Sequence, residues 1–202
     1  MTTVYTIGHS THSLDAFIAL LQGAGVKAIA DVRSTPFSRR LPHFSQGPLR
    51  RTLAGNGIAY VPLGPELGGR GSPHSARDAR GRISYRSIAG SPEFEQGLQR
   101  VESSSARLRV ALLCAERDPL QCHRGILVSG VCAARGTRVV HIRADGATET
   151  HSDAELRLLR LPGARHPDLF QTEDEAIAAA YDAQEARIAH VAAPAAGDPP
   201  SA

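Results

Sequence analysis

A chain of 202 residues with 42% hydrophobic content has room for one full-sized core and too little for two large ones. The net charge of +3 invites a nucleic-acid reading, but 22 of the 23 basic residues are arginine, a bias that a GC-rich genome produces as readily as a guanidinium requirement. No run approaches the ~20 apolar residues of a membrane span, the amino terminus lacks a signal core, and the cysteines are three, so a cytoplasmic protein with reduced thiols and no membrane partner is expected.

Val4 to Ile7 open as a strand ending at Gly8, His9 and Ser10. Ser13 then stands where it can cap a helix whose Leu14, Phe17, Ile18 and Leu21 recur at helical spacing. Val26 to Val32 read as a second strand with Asp31 and Arg33 at its end, and Ser34, Pro36 and Pro42 mark an irregular connection. A short helix follows over Gln46 to Ala54, then a third strand over Ile58 to Leu63. Gly64 to Arg86 holds five glycines and five arginines with little apolar periodicity, and reads as a long, mobile loop able to cover a site. Ser91, Pro92 and Glu93 supply a cap, a first-turn proline and an acidic first turn for a helix through Val101.

Val110 to Leu113 form a fourth strand that turns polar at Cys114 and Glu116. Asp118 and Pro119 predict the start of a helix with Cys122, His123 and Arg124 in its first turns, an apolar face at Ile126, Leu127, Val128 and Val131, and a stop at Gly136. Arg138 to Ile142 give a fifth strand. Ser152 with Glu155, and Thr172 with Glu175, have capping-box spacing for two late helices. A single domain over 1–190 and a disordered Pro/Ala-rich tail over 191–202 are expected. The alternation predicts an α/β fold: a three-layer sandwich around a mostly parallel, about five-stranded sheet, Rossmann-like or flavodoxin-like, in strand order 3-2-1-4-5.

On that topology His9 and Ser10, Asp31 and Arg33, and Cys114 and Glu116 leave strands at one edge, where α/β sheets bind ligands. A helix amino end and cationic neighbours make Cys122 the candidate nucleophile, and Glu116 and Asp31 are the further catalytic candidates. Cys114 reads as a core residue or a wall of the pocket, and Cys132 as packing. His9, Ser10, Arg33, Arg39, His123 and Arg124 are candidates to hold an anion, although Arg124 is equally suited to a structural ion pair with Asp31 or Glu116. Cys114, Cys122, His123 and His9 also permit a metal, but there is no C-x-x-C or H-x-x-x-H pair, and no metal or cofactor is expected. Neither a dinucleotide fingerprint nor a P-loop lysine is present.

TIGHS at Thr6 to Ser10, DVRSTPFSR at Asp31 to Arg39, LGGR at Leu67 to Arg70 and LLCAERDPLQCHR at Leu112 to Arg124 together resemble the DUF488 family of uncharacterised bacterial and archaeal proteins. The resemblance spans residues 4 to about 151, with Thr11 standing where the family commonly has asparagine. It implies a compact α/β domain and one shared polar site, and it supplies no reaction. The expected activity is that of a cysteine- or carboxylate-dependent hydrolase or transferase acting on a phosphorylated or nucleotide-like small anion. A non-catalytic nucleic-acid-binding protein and a thiol or sulfur-transfer protein are the alternatives. Nothing in the sequence speaks to oligomeric state.

Overall fold

The computed structural model describes residues 2–72, 74–161 and 171–191. Six strands form one sheet: β1 (Thr3–Gly8), β2 (Ala28–Asp31), β3 (Ala59–Pro62), β4 (Val110–Cys114), β5 (Arg138–Ile142) and β6 (Thr148–Thr150). The order is β3-β2-β4-β1-β5-β6, with every neighbouring pair parallel except β5 and β6. The expected order 3-2-1-4-5 is therefore corrected: β4 lies between β2 and β1. Its five residues are all buried, as befits the most continuously apolar strand, whereas β3 is half exposed at the edge. β6 escaped the sequence pattern because it is three polar residues long and pairs only at one margin.

Alternation along β4 divides the two cores. Val110, Leu112 and Cys114 join Val4, Ala28 and Ala30 on one face, packed by Phe94, Leu98 and Val101 of α5 (Pro92–Ser105) and by Leu127 and Val128. Ala111 and Leu113 join Ile7 and Ile29 on the other, under Phe17 and Leu21 of α1 (Leu14–Gly23) and Leu49 and Leu53 of α2 (Gln46–Gly55). Ser13 and Ser91 cap α1 and α5 as the sequence predicts. No helix among the described residues is long and apolar enough to cross a membrane.

Three local expectations change. The segment from Gly64 to Arg86 includes α3 (Gly64–Leu67) and enters α4 (Tyr85–Ala89), with Leu67 and Ile83 in the core. Three buried side chains, Leu67, Ile83 and Tyr85, in a glycine- and arginine-rich stretch are too few and too unevenly spaced to give a period. The helix predicted from Pro119 is broken: Asp118 caps a 3-10 turn at Pro119–Gln121, Cys122 is extended, and a π-helical turn over Arg124–Ser129 leads into α6 (Gly130–Ala134). α7 (His151–Leu158) is capped by Thr150, two residues before the expected cap Ser152, while Thr172 and Glu175 form the full capping box of α8 (Glu173–Ile188). Of the expected tail only Val191 is described, in a β-bridge with Arg82; 192–202 lie outside the described residues.

Candidate functional site

The order β2-β4-β1 brings three strand ends together. Gly8 is in register with Cys114, and Asp31 with Leu113. His9 and Ser10 donate their backbone N–H groups to the Cys114 and Ala115 carbonyls, and the Val32 N–H bonds the Leu113 carbonyl, so the loop after β4 is tied on both sides.

Cys122 owes its place to the break in the helix. Its extended backbone makes it the effective cap of the turn that follows: its carbonyl accepts from Gly125 and Ile126, and its Sγ accepts from the Arg124 N–H at 3.4 Å. His123 leans across to β2, donating Nε2–H to the Val32 carbonyl at 3.0 Å. Its Nδ1 then faces both sulfurs, 3.8 Å from Cys114 Sγ and 3.8 Å from Cys122 Sγ. Cys114 Sγ also lies 3.0 Å from Glu116 Oε2.

The electrostatics follow this asymmetry. Burial raises the Cys122 thiol, but the hydrogen bond from Cys114 and the neighbouring His123 and Arg124 charges outweigh it and hold Cys122 well below the ordinary thiol range. The hydrogen bond to Cys122 and burial push Cys114 the opposite way, so Cys122 carries the charge and Cys114 the proton. Burial opposes protonation of His123, yet the Cys122 charge draws it up. Glu116 keeps solvent contact, but water stripped from its carboxyl by the cleft walls, together with the Cys122 charge, raises it.

These groups floor a cleft of about 260 Å³ that Arg33, Ser34, Thr35, Gly69, Arg70, Tyr85, Gln121 and His190 help to line. The LGGR segment is its second wall. A Cβ on Gly68 would overlap Ser34 Oγ, and one on Gly69 would stand 2.6 Å from the His123 ring, so only glycine lets this backbone lie flat on both. The Arg70 N–H bonds Ser34 Oγ at 3.2 Å, and its guanidinium is exposed at the rim with no acidic partner among the described residues. A larger groove of about 620 Å³ runs between α5 and the β2–β3 side of the sheet, but its lining holds no thiol, carboxylate or imidazole.

Cys114, Glu116, Cys122, His123 and Arg33 thus converge on one cleft; the other candidates stand apart from its lining. Arg33 itself is locked, Nε and Nη2 donating to the Asp31 carboxylate at 2.9 and 2.6 Å and Nη1 to the Phe44 carbonyl. Tyr60 donates to the same Asp31 at 2.6 Å. His9 stacks on Phe44 at 4.3 Å and donates Nδ1–H to the carbonyl of Ser10, whose φ of 47° is left-handed. Burial lowers His9 to about 4, which leaves it neutral at neutral pH. Arg124 is fully buried and donates to the Glu116 and Arg117 carbonyls at 2.7 and 3.1 Å, not to a carboxylate. Arg39 is exposed. Arg70 and Tyr85 lie in the Gly64–Arg86 stretch that the sequence marks as able to cover a site, with Arg70 closing the LGGR segment, but neither is singled out there, and His190 carries no sequence signal.

The family model described as "Domain of unknown function DUF488" matches residues 13–130, more than half of the chain. The chain belongs to the DUF488 family. No curated protein and no solved structure matches it. The matched range contains the DVRSTPFSR, LGGR and LLCAERDPLQCHR segments that build the DUF488 cleft, while TIGHS lies before it.

Proposed function

We propose that this DUF488 protein is an enzyme acting on a small phosphorylated or nucleotide-like anion in the Cys114–Cys122 cleft, as a hydrolase or transferase. The observation that carries the reading is the juxtaposition of an unpaired rim guanidinium, Arg70, with a floor of Cys114, Cys122, His123 and Glu116. Arg70 is the binding cation in this scheme, since Arg33 is held by Asp31 and Arg124 by backbone carbonyls. Glu116 is the proton-transfer group: it is the one carboxylate in the cleft lining among the described residues, its Oε2 lies 3.0 Å from Cys114 Sγ, and it retains access to solvent for proton exchange. Ser34 and Gly69 hold the wall in place.

Calorimetric titration with inorganic phosphate and with ribonucleotides at low salt tests this. The wild type should bind one of these anions, Arg70→Ala should weaken binding about tenfold, and Glu116→Gln should bind normally. Unchanged affinity in Arg70→Ala, or binding only of duplex or single-stranded nucleic acid with steep salt dependence, overturns the proposal.

A second reading, thiol or sulfur transfer through Cys122, is favoured by the N–H donated to its sulfur and the imidazole beside it. A persulfide or acyl adduct on Cys122 in mass spectra of the protein as purified would support that reading over the first.

A further inference from the structure

We propose that Cys114 Sγ, Cys122 Sγ and His123 Nδ1 are the ligands of a zinc ion at the floor of the cleft. The three donor atoms lie within 4.8 Å of one another. In a tetrahedral zinc centre, with Zn–S about 2.3 Å and Zn–N about 2.1 Å, a sulfur and a nitrogen ligand stand roughly 3.6 Å apart. Both sulfur-to-nitrogen separations here are 3.8 Å. One ring N–H cannot point at two sulfurs at once; a cation among the three satisfies all of them.

The surroundings fit the same assignment. His123 donates its other ring nitrogen to the Val32 carbonyl, the outer contact that fixes the tautomer of a metal-bound imidazole, and Gly69 packs flat against the ring to hold its orientation. The Arg124 N–H on Cys122 Sγ is the backbone donor a ligating thiolate takes. Two thiolates and one imidazole select zinc over the oxygen-seeking magnesium and calcium. Sequence spacing misses this set because its members come from a strand end and from a cap beyond a 3-10 turn, which the fold closes without a C-x-x-C pair.

Three protein ligands with the fourth side open to the cleft describe a reactive rather than a closed structural site. What the ion does there rests on the function proposed above: a bound water gives a proton to Glu116, its oxygen bonds to the electrophilic centre of the substrate, and the leaving group departs with that proton. Zinc binding itself does not depend on that function.

Protein prepared without chelator and without an affinity tag should carry one zinc per chain by elemental mass spectrometry. The metal-free protein should take up cobalt with a thiolate-to-cobalt charge-transfer band. Cys122→Ser and His123→Ala should each weaken zinc roughly 100-fold or more in a chelator competition, while Cys132→Ser, in the core, and Arg70→Ala should leave it unchanged. A folded wild type that takes up neither metal, a cobalt complex without the thiolate band, or wild-type affinity in folded Cys122→Ser overturns the site. Should Cys122→Ser fail to fold, the cobalt spectrum of the wild type decides. Anion binding that still depends on Arg70 in a protein without zinc would remove the metal and leave the anion reading standing.

Discussion

Arg124 shows what a residue's neighbours in sequence conceal. As part of CHR beside a predicted helix start it looks like an anion ligand, yet it is fully buried and its guanidinium is spent on the Glu116 and Arg117 carbonyls, with Nε 3.4 Å from Thr6 Oγ1. It staples the loop after β4 to β1. Replacing it with methionine keeps the bulk but leaves two carbonyls without donors in a closed space, a cost of about 2–4 kcal/mol. Urea unfolding of Arg124→Met should show this loss; a variant within about 0.5 kcal/mol of the wild type would mean that water replaces the guanidinium. The sequence does make the two chemistry-bearing thiols and Glu116 legible, because a strand turning polar at Cys114 is a local pattern. It leaves Asp31 and Arg33 ambiguous, because whether an arginine faces a ligand or a carboxylate two residues away depends on side-chain direction, not on order.

At the scale of elements, the strands and most caps are readable, since periodicity and Ser–Pro–Glu signatures are local. The lateral order of the sheet is not, because a crossover through α5 from β3 can return to either side of β1 with the same apolar pattern. The placement of β4 explains why Gly8 is glycine. It sits opposite Cys114, and a Cβ there would overlap the Glu116 carbonyl and come 3.2 Å from Arg124 Nη1. Gly8→Ala should therefore push the Glu116 loop away and cost about 2–3 kcal/mol by thermal or urea unfolding. Gly23 ends α1 with nothing within 4 Å of where a Cβ would stand, and Gly23→Ala should instead be neutral or stabilising by up to about 1 kcal/mol. Equal effects of the two substitutions would show that close approach at Gly8 does not constrain the loop.

Across the whole molecule a row of buried histidines is expected to govern how the fold responds to acid. Thr6 Oγ1 meets His141 Nδ1 at 2.8 Å, His141 Nε2 meets His151 Nδ1 at 3.0 Å, and His151 Nε2 meets the Tyr181 hydroxyl at 2.7 Å, which donates to Glu155 at 3.0 Å. The chain links β1, β5, α7 and α8 through the core. Burial lowers His151 to about 4, with Glu149 pulling slightly the other way. Burial and the His151 charge lower His141 well below its ordinary value, and His9, on the opposite face, stands at about 4. In the unfolded chain each binds its proton near pH 6.5. Between about pH 6.5 and 4 the unfolded state thus holds more protons, and stability falls as pH falls through that window, to level out once the folded-state histidines also titrate. Glu155, raised by its burial, binds its proton more readily in the folded than in the unfolded state and offsets part of the loss. A drop of roughly 1–2 kcal/mol per histidine is expected between pH 7 and 5. Urea unfolding across that range measures it, and His151→Gln, which keeps a polar partner for Tyr181 but cannot titrate, should flatten the slope. A stability that stays level to pH 5, or a slope identical in His151→Gln, would mean that the buried imidazoles are not what links the four elements to acid.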